Sequence, residues 1–242
     1  MSKKKTKKFR QDRKLWFRIF KTVLKIRYRK PNFIYLGDKP TSQSIILSNH
    51  IGARVPLTLE LYADFPIRFW GTHEMNTGLR NMYRYQTKTY YHGKKGWNIH
   101  LARLFCLLAS PLTNIFYKGL RLISTYQDYR LRATIQESLE VIQNGGNIVV
   151  FPEDSSEGYL DEMKSFYAGF ALLAERALKL GIDMPIYVSY LRPKDNTYVY
   201  EKPILYSELK KQIPDKHDMA KYLLDKANSL GKVKLKELKS ET

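Results

Sequence analysis

Two polar side chains follow segments that read as short buried strands, and their types suit proton transfer. His50 follows Asn49 after the mostly apolar run 44–48, and Glu153 follows the largely β-branched run 147–151, which Pro152 ends. A histidine can take a proton from an alcohol near neutral pH, and a carboxylate can orient an acceptor that carries several hydroxyls. The pair suggests acyl transfer to a hydroxyl group, although a lone histidine beside an asparagine is more often a structural hydrogen-bonding residue.

The surrounding segments alternate between strand-like and helix-like patterns. Residues 33–36 resemble a further strand, residues 131–142 place apolar side chains on one helical face, residues 166–178 repeat that pattern, and residues 185–190 form another strand. Strand, helix and strand in succession predict a parallel crossover. The sequence therefore predicts an α/β fold, with a mostly parallel central sheet covered by helices on both faces. The carboxyl ends of parallel strands form the usual ligand crevice, so His50 and Glu153 should share one edge.

Positive charge is concentrated in an N-terminal arm. Residues 1–30 hold 14 Lys and Arg against Asp12 alone, a net +13 of the total +19. From Lys14 the pattern predicts a basic amphipathic helix, whose apolar residues are Trp16, Ile19, Phe20, Val23 and Leu24. Lys and Arg beside Trp and Phe suit an anionic membrane surface, although the helix could instead dock on the protein's own core. Nucleic acid also attracts such charge, but the chain has no recognisable nucleic-acid-binding motif, and we expect no such partner.

The 242 residues suffice for one large domain with appendages. We predict a basic arm at 1–30, an α/β domain at 31–210 and a charged helical tail at 211–242. The lone Cys106 excludes an intramolecular disulfide and suits a reducing compartment. The apolar run 104–117 has 14 residues and contains Pro111, whereas a membrane span needs about 20. We expect a helix pair there, buried or lying on a surface.

Four short motifs, in order, resemble the 1-acylglycerol-3-phosphate acyltransferase (PlsC-like) superfamily over roughly residues 33–206. That family carries N-H-x-x-x-x-D after a strand, F-P-E-G-T-R-S after a later strand, F-x-x-G opening a helix, and a strand introduced by proline. The matching segments are Ser48-Asn49-His50, Phe151-Pro152-Glu153, Phe166-Tyr167-Ala168-Gly169 and Pro185-Ile186-Tyr187-Val188.

The resemblance implies a catalytic role for His50, as general base on a lipid-like hydroxyl that attacks a fatty acyl thioester of coenzyme A or acyl carrier protein. It implies no metal or resident cofactor, and a cytoplasmic enzyme attached peripherally to the inner face of the cell membrane. Glu153 would help to hold the acceptor. The other residues assigned to substrate binding are Asn49, Phe151, Pro152, Asp154 and Ser155.

The first motif departs from the family at its acid. Val55 stands where the aspartate that orients the imidazole is expected, and a valine cannot accept that hydrogen bond. In serine hydrolases, loss of the corresponding acceptor function costs about 10⁴ in turnover. Either another acid substitutes, with Glu74, Asp154 and Glu157 as unranked candidates, or the protein is a catalytically lapsed member that binds lipid at the membrane.

Both family arginines that grip phosphate are also replaced, by Thr125 and Ser156. Neither residue can form the bidentate, charge-assisted hydrogen bonds of a guanidinium. We therefore expect an acceptor other than lysophosphatidic acid, such as a glycolipid. The alternative is a slip in register that brings a nearby arginine into the site, namely Arg121, Arg130 or Arg132.

The segment 75–127 contains no Asp or Glu but eight Lys or Arg, interleaved with Tyr and Trp. Such a composition suits contact with lipid headgroups or with the phosphates of coenzyme A. A solvated loop would have the same composition, and the sequence does not separate these interpretations.

Overall fold

The computed structural model describes residues 13–154 and 162–233, within which eight strands form one mixed sheet. In spatial order the main path is β1-β7-β6-β2-β5-β3-β4, and β8 pairs with β6. The strands β6–β7 and β6–β8 are antiparallel, whereas the other pairs are parallel. The strands are β1 (Asn32–Tyr35), β2 (Ile45–Ser48), β3 (Ile67–Thr72), β4 (Ile123–Thr125), β5 (Asn147–Val150), β6 (Pro185–Arg192), β7 (Thr197–Tyr200) and β8 (Ile204–Leu205). The predicted α/β class with a mostly parallel sheet is confirmed.

Eight α-helices accompany the sheet in the described residues. They are α1 (Leu15–Arg27), α2 (Arg54–Tyr62), α3 (Leu79–Arg84), α4 (Ile99–Leu120), α5 (Leu131–Gln143), α6 (Gly169–Lys179), α7 (Tyr206–Gln212) and α8 (Lys216–Lys232). A 3₁₀ turn lies at His73–Met75, and a π-helical segment at Tyr85–Lys94 joins α3 to the loop before α4.

Two apolar clusters sandwich the central strands. Ile45 and Leu47 of β2 belong to a cluster with residues of α5, α6 and α8, whereas the alternate residue Ile46 belongs to a cluster with residues of α1, α2 and the end of α4. A strand buried on both faces is typical of parallel sheets, because helices cover each side. Most of the predicted tail 211–242 is α8, whose Met219 and Leu223 are completely buried in the first cluster.

The apolar residues of α1 divide between two faces. Phe17 is completely buried, and Phe20 and Leu24 pack beside it against the second cluster. A second stripe is left outside, which we call the α1 apolar stripe: Leu15, Trp16, Ile19, Val23 and Ile26, with exposures from 40 to 86%. The sequence left open whether α1 docks on the core or contacts a membrane. The structure gives the helix one apolar face on the core and a second, exposed apolar face.

A buried ion pair fastens the beginning of the described arm to α2. The guanidinium of Arg13 donates to both carboxylate oxygens of Glu60, at 3.0 and 2.6 Å, and to the backbone carbonyl of Leu120 at 2.6 Å. Lys21 of α1 donates to the same carboxylate at 2.9 Å. Since Glu60 is only 1% exposed, its buried charge needs compensation of this kind, and Arg13 and Lys21 supply it.

The expected helix pair around Pro111 is wrong, because α4 is one helix of 22 residues that continues through the proline. A proline removes a single backbone donor, and the leucines and alanines around it favour helix strongly enough to carry the chain past it. By length and composition α4 could cross a membrane. Its buried side, however, packs on the π-helical segment, where Ser110 donates to Gln86 at 2.7 Å.

The opposite side of α4 is exposed and almost purely apolar. We call it the α4 apolar face: Leu101, Leu104, Phe105, Leu107, Leu108, Leu112 and Ile115, with exposures from 41 to 79%. Contiguous apolar surface on this scale marks an interaction site. It lies on the helix that also packs against α1 through Phe116 and Phe17, whose ring centroids are 5.8 Å apart.

Gly119 of α4 is a sensitive point of this packing. A Cβ at Gly119 would lie 2.0 Å from the nearest atom of the buried Phe17 ring, so either the ring or α1 must move. We expect Gly119→Ala to lower the free energy of unfolding by about 2 kcal/mol, although alanine is the better helix former. Urea unfolding of the wild type and the variant would measure this loss of stability.

Phe17→Leu supplies the control for this prediction. In its background Gly119→Ala should cost clearly less, because the smaller side chain makes room for the methyl group. Equal costs in both backgrounds would show that the close approach to Phe17 is not what constrains Gly119.

Candidate active site at the ends of β2 and β5

The loops that follow β2 and β5 meet at one edge of the sheet. The two strands are paired in parallel, with Leu47 opposite Val150, so the residues after them emerge side by side. The Glu153 carboxylate accepts a hydrogen bond from the backbone N–H of His50 at 3.3 Å. The structure thus brings together the histidine and the acid that the sequence singled out.

Asn49 holds the first loop in place. Its side-chain oxygen accepts from the backbone N–H of Leu191 at 2.8 Å, and its side-chain amide donates to the carbonyl of the same residue at 3.0 Å. Asn49 is 2% exposed. One step earlier, the hydroxyl of Ser48 is hydrogen-bonded to that of Tyr198. The oxygen and the nitrogen of the Asn49 side-chain amide are therefore both hydrogen-bonded to β6, which fixes the backbone from which His50 projects.

The imidazole of His50 lies against the ring of Phe151. Their centroids are 4.9 Å apart with planes inclined by 28°, and Phe151 in turn stacks on Phe69 at 6.2 Å. The side chain keeps partial access to solvent. Burial, and secondly the positive charge of Lys94, lower the pKa of His50 to about 4. The ring is consequently neutral at pH 7 and can accept a proton.

The second loop is braced by the segment that precedes α6. Glu153 and Phe166 form an isolated antiparallel bridge, and the N–H of Tyr167 donates to the carbonyl of Pro152 at 2.8 Å. The predicted helix over 166–178 therefore begins only at Gly169, because Phe166 pairs with the loop instead. Asp154 is hydrogen-bonded to the Tyr167 side chain, which together with burial raises the pKa of that tyrosine. Ser155 lies outside the described residues.

Two residues of the π-helical segment reach this edge, and the sequence analysis did not single them out. Burial lowers the pKa of Lys94, and the negative charges of Asp154 and Glu153 oppose that shift. The hydroxyl of Tyr90 lies so close to Gly52 that a Cβ there would be 2.8 Å from it. Only the basic, Tyr-rich composition of 75–127 hinted at these contacts.

The position of the missing aspartate is filled by packing. Val55 is completely buried in the second apolar cluster. Among the candidate substitutes, Glu74 is engaged with the hydroxyl of Thr72 and with His73, whose Nδ1 is 3.1 Å from its carboxylate, and Asp154 is engaged with Tyr167. Glu157 lies outside the described residues. Stacking on Phe151 is one contact that helps to orient the imidazole.

The residues that stand in place of the two family arginines, and the arginines near them, have different surroundings. The Thr125 hydroxyl donates to the backbone carbonyl of Gly71 at 3.0 Å, and Ser156 lies outside the described residues. Of the arginines considered for a slip in register, Arg130 forms an ion pair with Asp128 at 2.7 Å and lies over the ring of Tyr126. Arg121 ends α4 in the left-handed region, with φ of 50°. No described contact ties Arg121, Arg130 or Arg132 to His50.

A cavity of about 430 Å³ opens at the same edge, beyond β3. It is lined by His73, Glu74, Thr77, Asn81, Arg84, Tyr85, Lys88 and Thr89. His50 is not part of its lining, but Glu74 influences Tyr85 electrostatically, and Tyr85 interacts with Tyr90 beside the His50 loop. The cavity and the candidate site thus share the π-helical segment, which supplies Tyr85, Lys88 and Thr89 to the cavity lining.

The depressed pKa of His50 has a measurable effect on stability. Below pH 6.5 the unfolded chain takes up a proton at this histidine, whereas the folded protein does so only near pH 4. The free energy of unfolding should therefore fall as the pH drops through this window, by about 2 kcal/mol between pH 7 and 4.5 for this partly exposed group. Urea unfolding of the wild type and His50→Gln isolates the effect, because the variant lacks it. Parallel pH dependences would show that His50 titrates normally.

Comparison with protein-family models gives no match, and a search of curated proteins gives none either. Within residues 13–154 and 162–233, no three His, Cys, Asp or Glu side chains are grouped as ligands of a metal ion. The site is thus characterised by its own geometry: a neutral histidine stacked on Phe151, a carboxylate on its backbone, and a lysine nearby.

Proposed function

We propose that the protein is a membrane-surface acyltransferase that moves a fatty acyl group from coenzyme A or acyl carrier protein to a hydroxyl of a lipid-like acceptor. The observation that carries the proposal is the meeting of His50 and Glu153 at the carboxyl edge of β2 and β5. A neutral imidazole at that edge can act as a general base. The motifs that resemble the PlsC-like acyltransferases supply the reaction class.

In this reaction the acceptor oxygen attacks the thioester carbonyl carbon while His50 takes the hydroxyl proton. The carbon–sulfur bond then breaks, and the imidazolium returns the proton to the departing thiolate. An imidazole with a pKa of about 4 is a weak base, so the proton must move as the new carbon–oxygen bond forms. Lys94 would stabilise the negative charge that develops on the carbonyl oxygen.

The other residues of the site would position these groups. Phe151 would help to orient the imidazole by stacking, and Asn49 would fix the His50 backbone through Leu191. Glu153 would hold the loop through the His50 N–H and help to hold the acceptor. Pro152, Asp154 and Ser155 would line the acceptor's path along the same loop.

The acceptor we propose is a hydroxylated amphiphile without a phosphate at the reacting end, such as a glycolipid. Thr125 donates to a backbone carbonyl, and Arg130 is neutralised by Asp128, so neither is disposed to grip a phosphate beside His50. Membrane attachment would use the α1 apolar stripe and the α4 apolar face, with basic residues around both. That arrangement suits the cytoplasmic side of an anionic membrane.

Purified full-length protein, incubated with a labelled acyl-coenzyme A or acyl carrier protein and a lipid extract, provides the test. We expect an acylated lipid and stoichiometric release of free thiol, with mass spectrometry identifying the acceptor. Preferential acylation of lysophosphatidic acid would contradict the proposed acceptor, and transfer to no lipid from either donor would contradict the reaction.

A second candidate function is lipid binding by a lapsed enzyme. The observation in its favour is the buried Val55, together with a histidine whose basicity is low. Under this alternative the protein binds vesicles but releases no thiol from either donor.

A further inference from the structure

A cavity between α3, the π-helical segment and α4 has a strongly basic lining. Its volume is about 270 Å³, and four of its six lining residues are cationic: Arg80, Arg84, Lys88 and Arg103, with Tyr83 and Thr87. No salt bridge joins any of the four to a carboxylate in the part of the chain that the structure describes. Like charges in one cavity repel each other, and an anion bound among them would reduce that electrostatic repulsion.

Thr87 provides an independent indication. The residue is 2% exposed, and its hydroxyl oxygen is buried without a hydrogen-bond partner among the described residues. Buried hydroxyls nearly always have a partner, because an unsatisfied one destabilises the fold. Since Thr87 lines the basic cavity, an anionic oxygen held by the arginines would supply the acceptor that this hydroxyl lacks.

The surroundings of the cavity indicate what else the ligand carries. Arg103 belongs to α4, and the neighbouring Leu104 and Leu107, one turn on, are both 64% exposed. A ligand with its anionic group in the cavity would therefore place its remainder against the α4 apolar face. Guanidinium groups bind phosphate in a bidentate manner, and an apolar remainder beside a phosphate describes a phospholipid.

We propose that Arg80, Arg84, Lys88 and Arg103, together with the Thr87 hydroxyl, bind the phosphate of an anionic membrane phospholipid whose acyl chains lie against the α4 apolar face. This inference rests on the membrane-surface part of the proposed function but does not require acyl transfer. The phosphate site is separate from His50, so the bound phospholipid would orient the enzyme on the bilayer rather than react.

Vesicle binding by the full-length protein tests the site. Two compositions are compared, phosphatidylcholine alone and phosphatidylcholine mixed with phosphatidylglycerol. Arg84→Gln/Arg103→Gln should lower the apparent affinity for the mixed vesicles about thirtyfold. The effect on binding to phosphatidylcholine should be much smaller, because its choline cation cancels the net charge of its phosphate. The matched control is Lys211→Gln/Lys221→Gln, which removes two exposed charges away from α4 and should change the affinity by less than about threefold.

The possible results have distinct meanings. Equal losses in the two double variants would overturn the phosphate site while leaving membrane attachment intact. A wild type that binds neither vesicle would refute the membrane-surface function, and the site with it. A third measurement adds a soluble phosphate, either coenzyme A or inorganic phosphate, and records the melting temperature. If the soluble phosphate stabilises the wild type but not Arg84→Gln/Arg103→Gln, and the double variant still binds vesicles normally, the cavity binds a soluble phosphate. The assignment to a phospholipid would then be wrong.

Thr87→Val separates ligand binding from a structural role. Valine has nearly the same shape but no hydroxyl, so it should raise the melting temperature while weakening binding to the mixed vesicles about tenfold. A variant that is less stable than the wild type and binds the vesicles normally would show that the hydroxyl serves the fold.

Discussion

His50→Gln should reduce acyl transfer about a thousandfold. Glutamine can occupy the place beside Phe151, but it cannot take a proton from the acceptor, and general-base catalysis is commonly worth 10²–10⁴ in rate. The measurement is release of free thiol in the presence of the acceptor. At pH 7 the variant should fold and bind vesicles as the wild type does, because the imidazole is neutral there and glutamine is neutral as well.

His217→Gln is the matched control. This histidine is exposed on α8, far along the chain from the site, and its loss should leave the rate unchanged. Residual activity above about a tenth in His50→Gln would exclude His50 as the base. A wild type that is already inactive, with both variants binding vesicles equally well, is the outcome that the lapsed-enzyme alternative predicts.

Glu60→Gln should cause the largest loss of stability of any single change considered. The substitution leaves Arg13 buried without its counterion, and removing one member of a buried pair typically costs about 3–5 kcal/mol. For a protein of this size the loss corresponds to a decrease in melting temperature of roughly 10 °C. Thermal unfolding measures the loss, and the fluorescence of Trp16 on α1 should report the arm leaving the core.

Two comparison variants make the result interpretable. Glu140→Gln removes an exposed carboxylate on α5 and should change stability by less than about 0.5 kcal/mol. Arg13→Met/Glu60→Leu replaces the pair with apolar groups of similar size and should recover most of the loss, since the only charge left without its partner is that of Lys21, whose side chain is 20% exposed. A normal melting temperature for Glu60→Gln would show that the pair does not hold the arm.

The sequence was most informative where periodicity and chain order coincide. The runs before His50 and Glu153 hold three or more consecutive apolar residues, Ile45 to Leu47 and Ile148 to Phe151, which predicts strands covered on both faces. Those strands are neighbours in parallel. The common edge of the two loops follows from that pairing alone. The α/β class needed nothing beyond the alternation of strand and helix patterns.

Contacts between distant segments were not predictable in the same way. Lys94 and Tyr90 reach the site only because a π-helical segment follows α3, and no periodic pattern marks such a segment. In the sequence Glu60 resembles an ordinary exposed acid on a helix. Its ion pair with Arg13, which is distant in the sequence, is evident only from the structure. Similarly, a proline within an apolar run suggested two helices, whereas α4 tolerates the loss of one donor.

The pairing of β2 also governs when the site can come into existence during synthesis. Both partners of this strand, β5 and β6, lie about a hundred or more residues further along the chain. Until they emerge from the ribosome, β2 has two unpaired edges, and His50 has neither Phe151 nor Glu153 beside it. A nascent chain shorter than about 150 residues therefore exposes strand edges that can pair with other chains.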